Sequence, residues 1–204
     1  MTGDAPPRCA VMILAAGAGQ RFAGSTHKLL AELAGRPLWH HAVSHAHDAA
    51  IGPIAVVTGA QPLSPVTNGL HSSAWLNDVE FIDNPDWATG QASSLAAGLR
   101  WAAGHEVDAV VIGLADQPFI PPATWIAIAQ TASDTPIVAA KYDGRPGPHP
   151  VRLAASVWPH IVADGDRGAG PLMRSAPQLV TWVDCVGSVA DIDTQEDLTR
   201  WTSC

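Results

Sequence analysis

The amino-acid sequence predicts an α/β fold, a single three-layer domain in which a mainly parallel sheet is covered by helices on both faces. Short β-branched runs alternate along the chain with longer segments of helical length and composition. The runs are mostly too uniformly apolar to have a wet face, as expected of strands in a covered parallel sheet. The 204 residues, 47% hydrophobic and 15% charged, suffice for one buried core and do not divide comfortably into two.

The expected strands are Ala10 to Ala15, Ile54 to Thr58, Val79 to Asp83, Ala109 to Ala115, Pro136 to Ala140 and Thr181 to Cys185. The expected helices are Pro37 to Ala49, Ser93 to Ala103, Pro121 to Ala132 and Arg152 to Val162, the first opening on a proline where a helix tolerates it best. One domain spans residues 1–204, with residues 1–8 as an unstructured tail. There is no repeat and no low-complexity linker. In such sheets ligands collect beyond the carboxyl ends of the strands, near the point where strand order reverses, so motifs that follow strands carry the most weight.

Composition excludes several classes of partner. With 19 acidic against 11 basic side chains, the chain lacks the means for an extended basic surface, so no nucleic-acid backbone is expected. No apolar run is long enough to span a bilayer, and the N-terminal stretch lacks the pattern of an export signal. Cys9, Cys185 and Cys204 are odd in number and far apart, which argues against a disulfide framework and a thiolate zinc site and suits a reducing cytoplasm.

The first strand is followed by a loop rich in glycine. Gly17, Gly19 and Gly24 allow tight turns and let backbone amides approach an anion. A dinucleotide fold would place a glycine where Phe22 stands and an acidic residue at the end of the second strand, which here ends in Thr58; a P-loop would continue into G-K-[ST], which is absent. A flexible connection is the plain alternative. Arg21 and Lys28, spaced around glycines in an acidic protein, supply the means to clamp a polyphosphate.

Other residues are legible by their chemistry. Asp116 follows an apolar strand and precedes Gln117 and Pro118, which suits either an oxygen ligand for a hard cation or a turn cap. Thr194 and Asp197 have the spacing of a capping pair for a final helix, and Asp191 and Asp193 alternate on one side of the segment before it. Ser93 or Ser94 can cap the helix that follows Gly90. Arg145 and His149 stand in a proline- and glycine-rich loop, Gly144 to Pro150, with no evident packing role. Four histidines, His40, His41, His45 and His47, crowd one helix; without a third ligand they read as a solvated face. The eight tryptophans follow no period and read as core or cleft-lining residues.

The stretch L-A-A-G-x-G-x-R-F-x-G…K-L-L, Leu14 to Leu30, resembles the signature loop of the MobA-like nucleotidyltransferases, which have a Rossmann-like fold. The resemblance continues in order through GQASSLAAGL (Gly90 to Leu99), GLADQPFI (Gly113 to Ile120), GPHPVRL (Gly147 to Leu153), GDRGAGPLM (Gly165 to Met173) and DIDTQEDL (Asp191 to Leu198). Leu-Ala-Ala-Gly, where guanylyl relatives usually have Leu-Ala-Gly-Gly, is most similar to the molybdenum cofactor cytidylyltransferase branch.

The resemblance implies Mg²⁺-dependent transfer of CMP from CTP to the terminal phosphate of a molybdopterin cofactor, with release of pyrophosphate. Arg21, Lys28 and Asp116 would carry the reaction; Leu14, Ala15, Ala16, Gly17, Gly19, Gly90, Ser93 and Ser94 would meet the nucleotide or acceptor, and Arg145 and His149 the acceptor. Asp191 and Asp193 would join Asp116 on the metal, and Asp166 and Arg167 belong to a further acceptor loop. Pro148 before His149 departs from the usual spelling, and His27 stands where guanylyl relatives often have aspartate. A molybdenum hydroxylase or its maturation factor is the implied recipient. The alternatives are GTP or another phosphorylated acceptor, and a nonenzymatic cofactor-delivery protein; a nicotinamide oxidoreductase fails on its glycine pattern.

Overall fold

A computed structural model describes residues 6–23, 26–63, 74–161 and 168–202. The strands are β1 (Cys9–Leu14), β2 (Glu32–Leu33), β3 (Arg36–Pro37), β4 (Ile54–Thr58), β5 (Val79–Asp83), β6 (Ala109–Leu114), β7 (Ile137–Tyr142), β8 (Arg145–Ala154) and β9 (Val180–Asp184). The helices are α1 (Leu38–Asp48), α2 (Gln91–Ala103), α3 (Pro122–Gln130), α4 (Gly170–Ser175) and α5 (Gln195–Thr202). Each of the six expected strands is present, within two residues at either end.

Seven strands form one sheet in the order β5-β4-β1-β6-β8-β7-β9, and β2 with β3 forms a small antiparallel ribbon. Strands β5, β4, β1 and β6 run parallel; β8 is antiparallel to both its neighbours, and β9 is parallel to β7. From the central β1 the chain builds outward through β4 and β5 and then returns to β6, so strand order reverses beside the carboxyl ends of β1 and β6.

Alternate side chains of β1 divide the core into two layers. Val11 and Ile13 pack with Trp39 and Val43 of α1 and Trp125 and Ile128 of α3, while Met12 and Leu14 pack with Leu95 and Leu99 of α2. Helix α2 comes so close to the sheet that a Cβ on Gly98 would lie 2.4 Å from the Met12 sulfur. The helices therefore cover both faces, as the sequence predicts.

The fourth expected helix, Arg152 to Val162, is overturned. Residues Arg145–Ala154 form β8, Ala155–His160 form a 3₁₀ turn, and Val162 lies outside the described residues. The glycine-rich loop of residues 144–150 is likewise the start of β8, joined to β7 by Asp143-Gly144, both at positive φ in a two-residue hairpin turn. The buried Arg152 on β8 donates from Nη1 to the Ala129 carbonyl at 2.7 Å, closing the carboxyl end of α3.

The histidine-rich helix α1 is no solvated face. His40 is 1% exposed beside Trp39 and Trp75, His41 Nε2 meets the Leu33 carbonyl at 2.7 Å, and His47 lies against Trp75. These rings pack α1 against the β2–β3 ribbon and residues 74–78, which removes them from metal chemistry. Residues 1–5 of the expected tail lie outside the described residues, whereas Arg8 is paired with Asp108. No helix among the described residues is long and apolar enough to cross a membrane.

A Cβ on Gly113 of β6 would lie 2.3 Å from the buried, rigid ring of Trp125. Gly113→Ala is expected to lower stability by about 1–3 kcal/mol through overpacking, measured by urea unfolding with an unchanged m value.

Candidate functional site

The loops after β1 and β6 and the segment before α5 meet at the reversal of strand order around a cleft of about 570 Å³. Leu14, Ala15, Ala16, Gly17, Gly19, Arg21, Lys28, Gly90, Ser94, Asp116 and Asp193 all line it. These residues are dispersed over most of the chain in sequence.

Lys28 is the centre of the site. Its Nζ donates to Asp116 Oδ2 at 2.6 Å and to Asp193 Oδ1 at 2.9 Å, while Arg21 pairs with Asp193 Oδ2 at 2.8 Å. Burial alone would lower the Lys28 pKa, but Asp116 and Asp193 outweigh it and hold the ammonium above its ordinary value, so it is charged at neutral pH. Arg21 is 76% exposed on its side chain and reaches over the open side of the cleft.

Local chemistry sets each partner in place. Gly19 has φ of +62°, and a Cβ there would lie 3.0 Å from Lys28 Cγ, so glycine is required for the turn and for the lysine stem to pass. His27 Nδ1 accepts the Leu29 N–H at 3.3 Å, which leaves Nε2–H to donate to the Gly17 carbonyl at 3.0 Å. The neutral imidazole thus ties the two ends of the loop together. Gly24 lies outside the described residues.

Asp116 lies just beyond β6, and its carbonyl accepts the Ile192 N–H at 3.1 Å. The completely buried Ile192 and this hydrogen bond dock the acidic segment against the end of β6. The capping pair forms as the sequence predicts: Thr194 Oγ1 accepts the Asp197 N–H, and Asp197 Oδ2 accepts the N–H groups of Thr194 and Asp193. That cap orients Asp193 towards Lys28. Asp191 diverges from it; its Oδ1 accepts from Gln117 Nε2 at 2.7 Å. Burial, together with the fields of Asp116 and Asp193, raises the Asp191 pKa against the opposing hydrogen bond from Gln117. The two aspartates therefore have different partners despite their alternation.

Neither Ser93 nor Ser94 caps α2. Ser93 Oγ donates back to the Gly90 carbonyl at 2.8 Å, and Ser94 Oγ accepts from the buried Asn84 at 3.0 Å. Gly90 precedes the helix at φ +118°, a conformation that excludes side chains. Only Ser94 of this pair lines the cleft. Trp87, one of the unassigned tryptophans, also lines it; a Cβ on Gly59 would lie 2.5 Å from Trp87 Cβ and 2.8 Å from Ala16 Cβ, so the three meet at one wall.

A second cavity of about 530 Å³ shares Leu14 and Gln91 with the first. Strand β8 pairs with β6 only as far as Val151, because Pro150, Pro148 and Pro146 have no N–H to offer. The cavity opens where that pairing stops, lined by Pro146–His149, Leu95, Met173, Trp182 and Arg174 among others. His149 thus lines it, with its Nδ1 buried and unbonded; burial pushes its pKa down to about 4 and keeps it neutral. Arg145 is exposed at the hairpin turn and lines neither cavity. Asp166 and Arg167 lie outside the described residues, as does Cys204.

Among the described residues no three or more His, Cys, Asp or Glu side chains are arranged to hold a metal. The site nevertheless fits a hard divalent ion in part: Asp116 Oδ1 is buried with no hydrogen-bond partner, and Asp116 and Asp193 both reach the Lys28 ammonium, so they stand close to one another. Two carboxylates, with phosphate oxygens and water, are an ordinary donor set for Mg²⁺.

The profile of the MobA-like NTP transferase domain matches residues 11–180. The chain is 32% identical over 163 residues to a molybdenum cofactor guanylyltransferase from Cereibacter sphaeroides, covering 75% of this chain and 70% of that one. Its fold is similar to a nucleotidyl transferase from Methanothermobacter thermautotroptrophicus, with a TM-score of 0.75 at 22% identity over 96% of each chain. It is also similar to Rv0371c from Mycobacterium tuberculosis in complex with manganese, with a TM-score of 0.72 at 24% identity over 96% of this chain and 98% of that one.

Burial lowers the His27 pKa below its ordinary 6.5, against a smaller opposing effect of the Gly17 hydrogen bond. The native loop therefore prefers neutral histidine; its contribution to stability is complete above pH 6.5 and is lost as pH falls below that value. Thermal melts are expected to show the wild type losing more stability than His27→Gln between about pH 7.5 and about pH 5.5, roughly one pH unit either side of the ordinary histidine pKa.

Proposed function

Since the chain belongs to the MobA-like NTP transferase family, as a nucleotidyltransferase related to molybdenum cofactor guanylyltransferase, we propose that it transfers CMP from CTP to the terminal phosphate of a molybdopterin cofactor, releasing pyrophosphate. The observation that carries this reading is Lys28 between Asp116 and Asp193 beneath a glycine loop, with a second cavity opening from the same cleft.

The acceptor phosphate is already an anion at neutral pH, so the reaction asks for alignment and charge compensation rather than a strong general base. Gly17 and Gly19 offer backbone amides, and Lys28 and Arg21 hold the triphosphate and stabilise charge developing on the α-phosphate and the departing pyrophosphate. Asp116 and Asp193 would hold Mg²⁺, which when bound would supply positive charge against the phosphates. Asp191, which accepts from Gln117, adds a nearby negative charge to this pair.

Ala15 and Ala16 meet the base edge. The Ala16 methyl, packed with Trp87 over Gly59, narrows the space that glycine would leave and favours a pyrimidine. The second cavity receives the acceptor: its apolar wall with Trp182 suits a flat heterocycle, and Arg174 and the neutral His149 offer polar contacts. The product passes to a molybdenum hydroxylase or its maturation factor in the cytoplasm. GTP is the second reading, favoured by the 32% identity to a guanylyltransferase. A nonenzymatic delivery protein has no need of a triphosphate clamp, so Arg21, Lys28 and Asp116 together argue against it.

Pyrophosphate release with Mg²⁺ and molybdenum cofactor, compared across CTP, GTP, ATP and UTP, is expected with CTP, with a CMP-bearing pterin identified by mass. Release with GTP alone would transfer the chain to the guanylyl branch, and release with none would refute the reading. Asp116→Asn and Lys28→Ala are each expected to lower kcat by about 10²- to 10³-fold, the loss typical of one charge-stabilising group. Ala16→Gly is expected to narrow the ratio of kcat/KM for CTP over GTP; an unchanged ratio would exclude Ala16 as a base reader.

A further inference from the structure

The same atoms that would ligate a divalent ion are bonded to a cation that belongs to the protein. Lys28 Nζ is 2.6 Å from Asp116 Oδ2 and 2.9 Å from Asp193 Oδ1, and its side chain is only 11% exposed. An ion ligated by both carboxylates has to enter the place the ammonium holds, and two cations cannot share it in a poorly solvated pocket. Resting on the proposed metal-dependent reaction, we propose that Lys28 is a built-in counter-ion that excludes free divalent metal until a triphosphate arrives, and then moves from the carboxylates onto the phosphates.

The surroundings permit that exchange. The stem of Lys28 passes over the bare Cα of Gly19, so its methylenes can turn without meeting a side chain there. The backbones that carry the carboxylates are held, Asp193 by the α5 cap and Asp116 by its bond to Ile192, and lysine has the longer and more flexible stem of the trio. Asp116 Oδ1 stays buried and unbonded while the ammonium is in place, an acceptor that the lysine does not satisfy.

Charge explains the order of binding. Lys28 and Arg21 are the cations that Asp116 and Asp193 already hold, so a free ion would have to displace the ammonium and leave it in a poorly solvated pocket without a partner. A triphosphate brings enough negative charge to receive the ammonium and to share an ion with the carboxylates. Metal and nucleotide therefore bind with positive coupling, and Lys28 is a positioning residue for the metal as well as a phosphate clamp.

The test is Mn²⁺ binding to the intact protein, read as loss of the free-ion electron paramagnetic resonance signal without turnover. Wild-type protein is expected to bind Mn²⁺ weakly alone and at least about tenfold more tightly with a non-hydrolysable CTP analogue, after correction for binding to the analogue itself. Lys28→Met and Lys28→Gln are expected to bind Mn²⁺ at least about tenfold more tightly than wild type without nucleotide, because the competing charge is gone. Asp116→Asn added to Lys28→Met is expected to abolish that gain.

Unchanged Mn²⁺ affinity in folded Lys28 variants, or a gain that survives Asp116→Asn, overturns the exchange. Should both variants fail to fold, the wild-type arm decides: equal affinity with and without the analogue overturns it. Exchange behaviour in a protein that releases no pyrophosphate from any nucleotide refutes the proposed reaction and leaves Lys28's role standing. Turnover without metal–nucleotide coupling does the reverse.

Discussion

The ion cluster around Lys28 links three parts of the chain that have little else in common. Lys28 ends the loop after β1, Asp116 follows β6, and Asp193 precedes α5, at sequence separations of 88 and 165 residues. The partly buried ammonium is shared by two carboxylates, and Arg21 offsets the second, so each of these charges has an opposite partner. The loop's glycines, the His27 link, the Ile192 docking contact and the Thr194–Asp197 cap all bear on where those charges meet. The cluster is thus both a fastening of the fold and the place where a charged substrate finds its partners.

The sheet supplies the rigidity that such a cluster needs. β1 and β6 are covered on both sides, and close approaches at Gly98 and Gly113 leave little slack between sheet and helices. Loops leaving that sheet start from fixed points. The antiparallel β8 adds a different feature: its prolines end the pairing with β6 and open a more apolar cavity beside the polar cleft. One cavity is polar and glycine-lined and the other carries Trp182, Met173 and Leu95, so the two halves of a transfer reaction can be held by unlike surfaces.

Some of the fold was legible because local pattern and tertiary role agree. The covered strands are continuous apolar runs, and α5 begins at a capping pair whose spacing is visible in DIDTQEDL. Where signals conflict, the sequence misleads. The prolines of β8 hide a strand, although Asp143-Gly144 just before it has the spelling of a hairpin turn. Ser93 and Ser94 have the right chemistry for caps, but Asn84, close to them only in space, takes the Ser94 hydroxyl as its acceptor.

The sequence by itself determined the α/β class, the glycine loop and the cations and carboxylates that lie after strands, because strand burial and turn conformation depend on neighbours a few residues away. Only the tertiary structure decided that Asp193 and not Asp191 meets Lys28, that Arg145 stands apart while Arg174 and Trp182 border the second cavity, and that His27 closes its loop. Those outcomes depend on where chains distant in sequence dock. Ile192 must bond the end of β6 before the aspartates beside it acquire different partners, and no local periodicity encodes that contact.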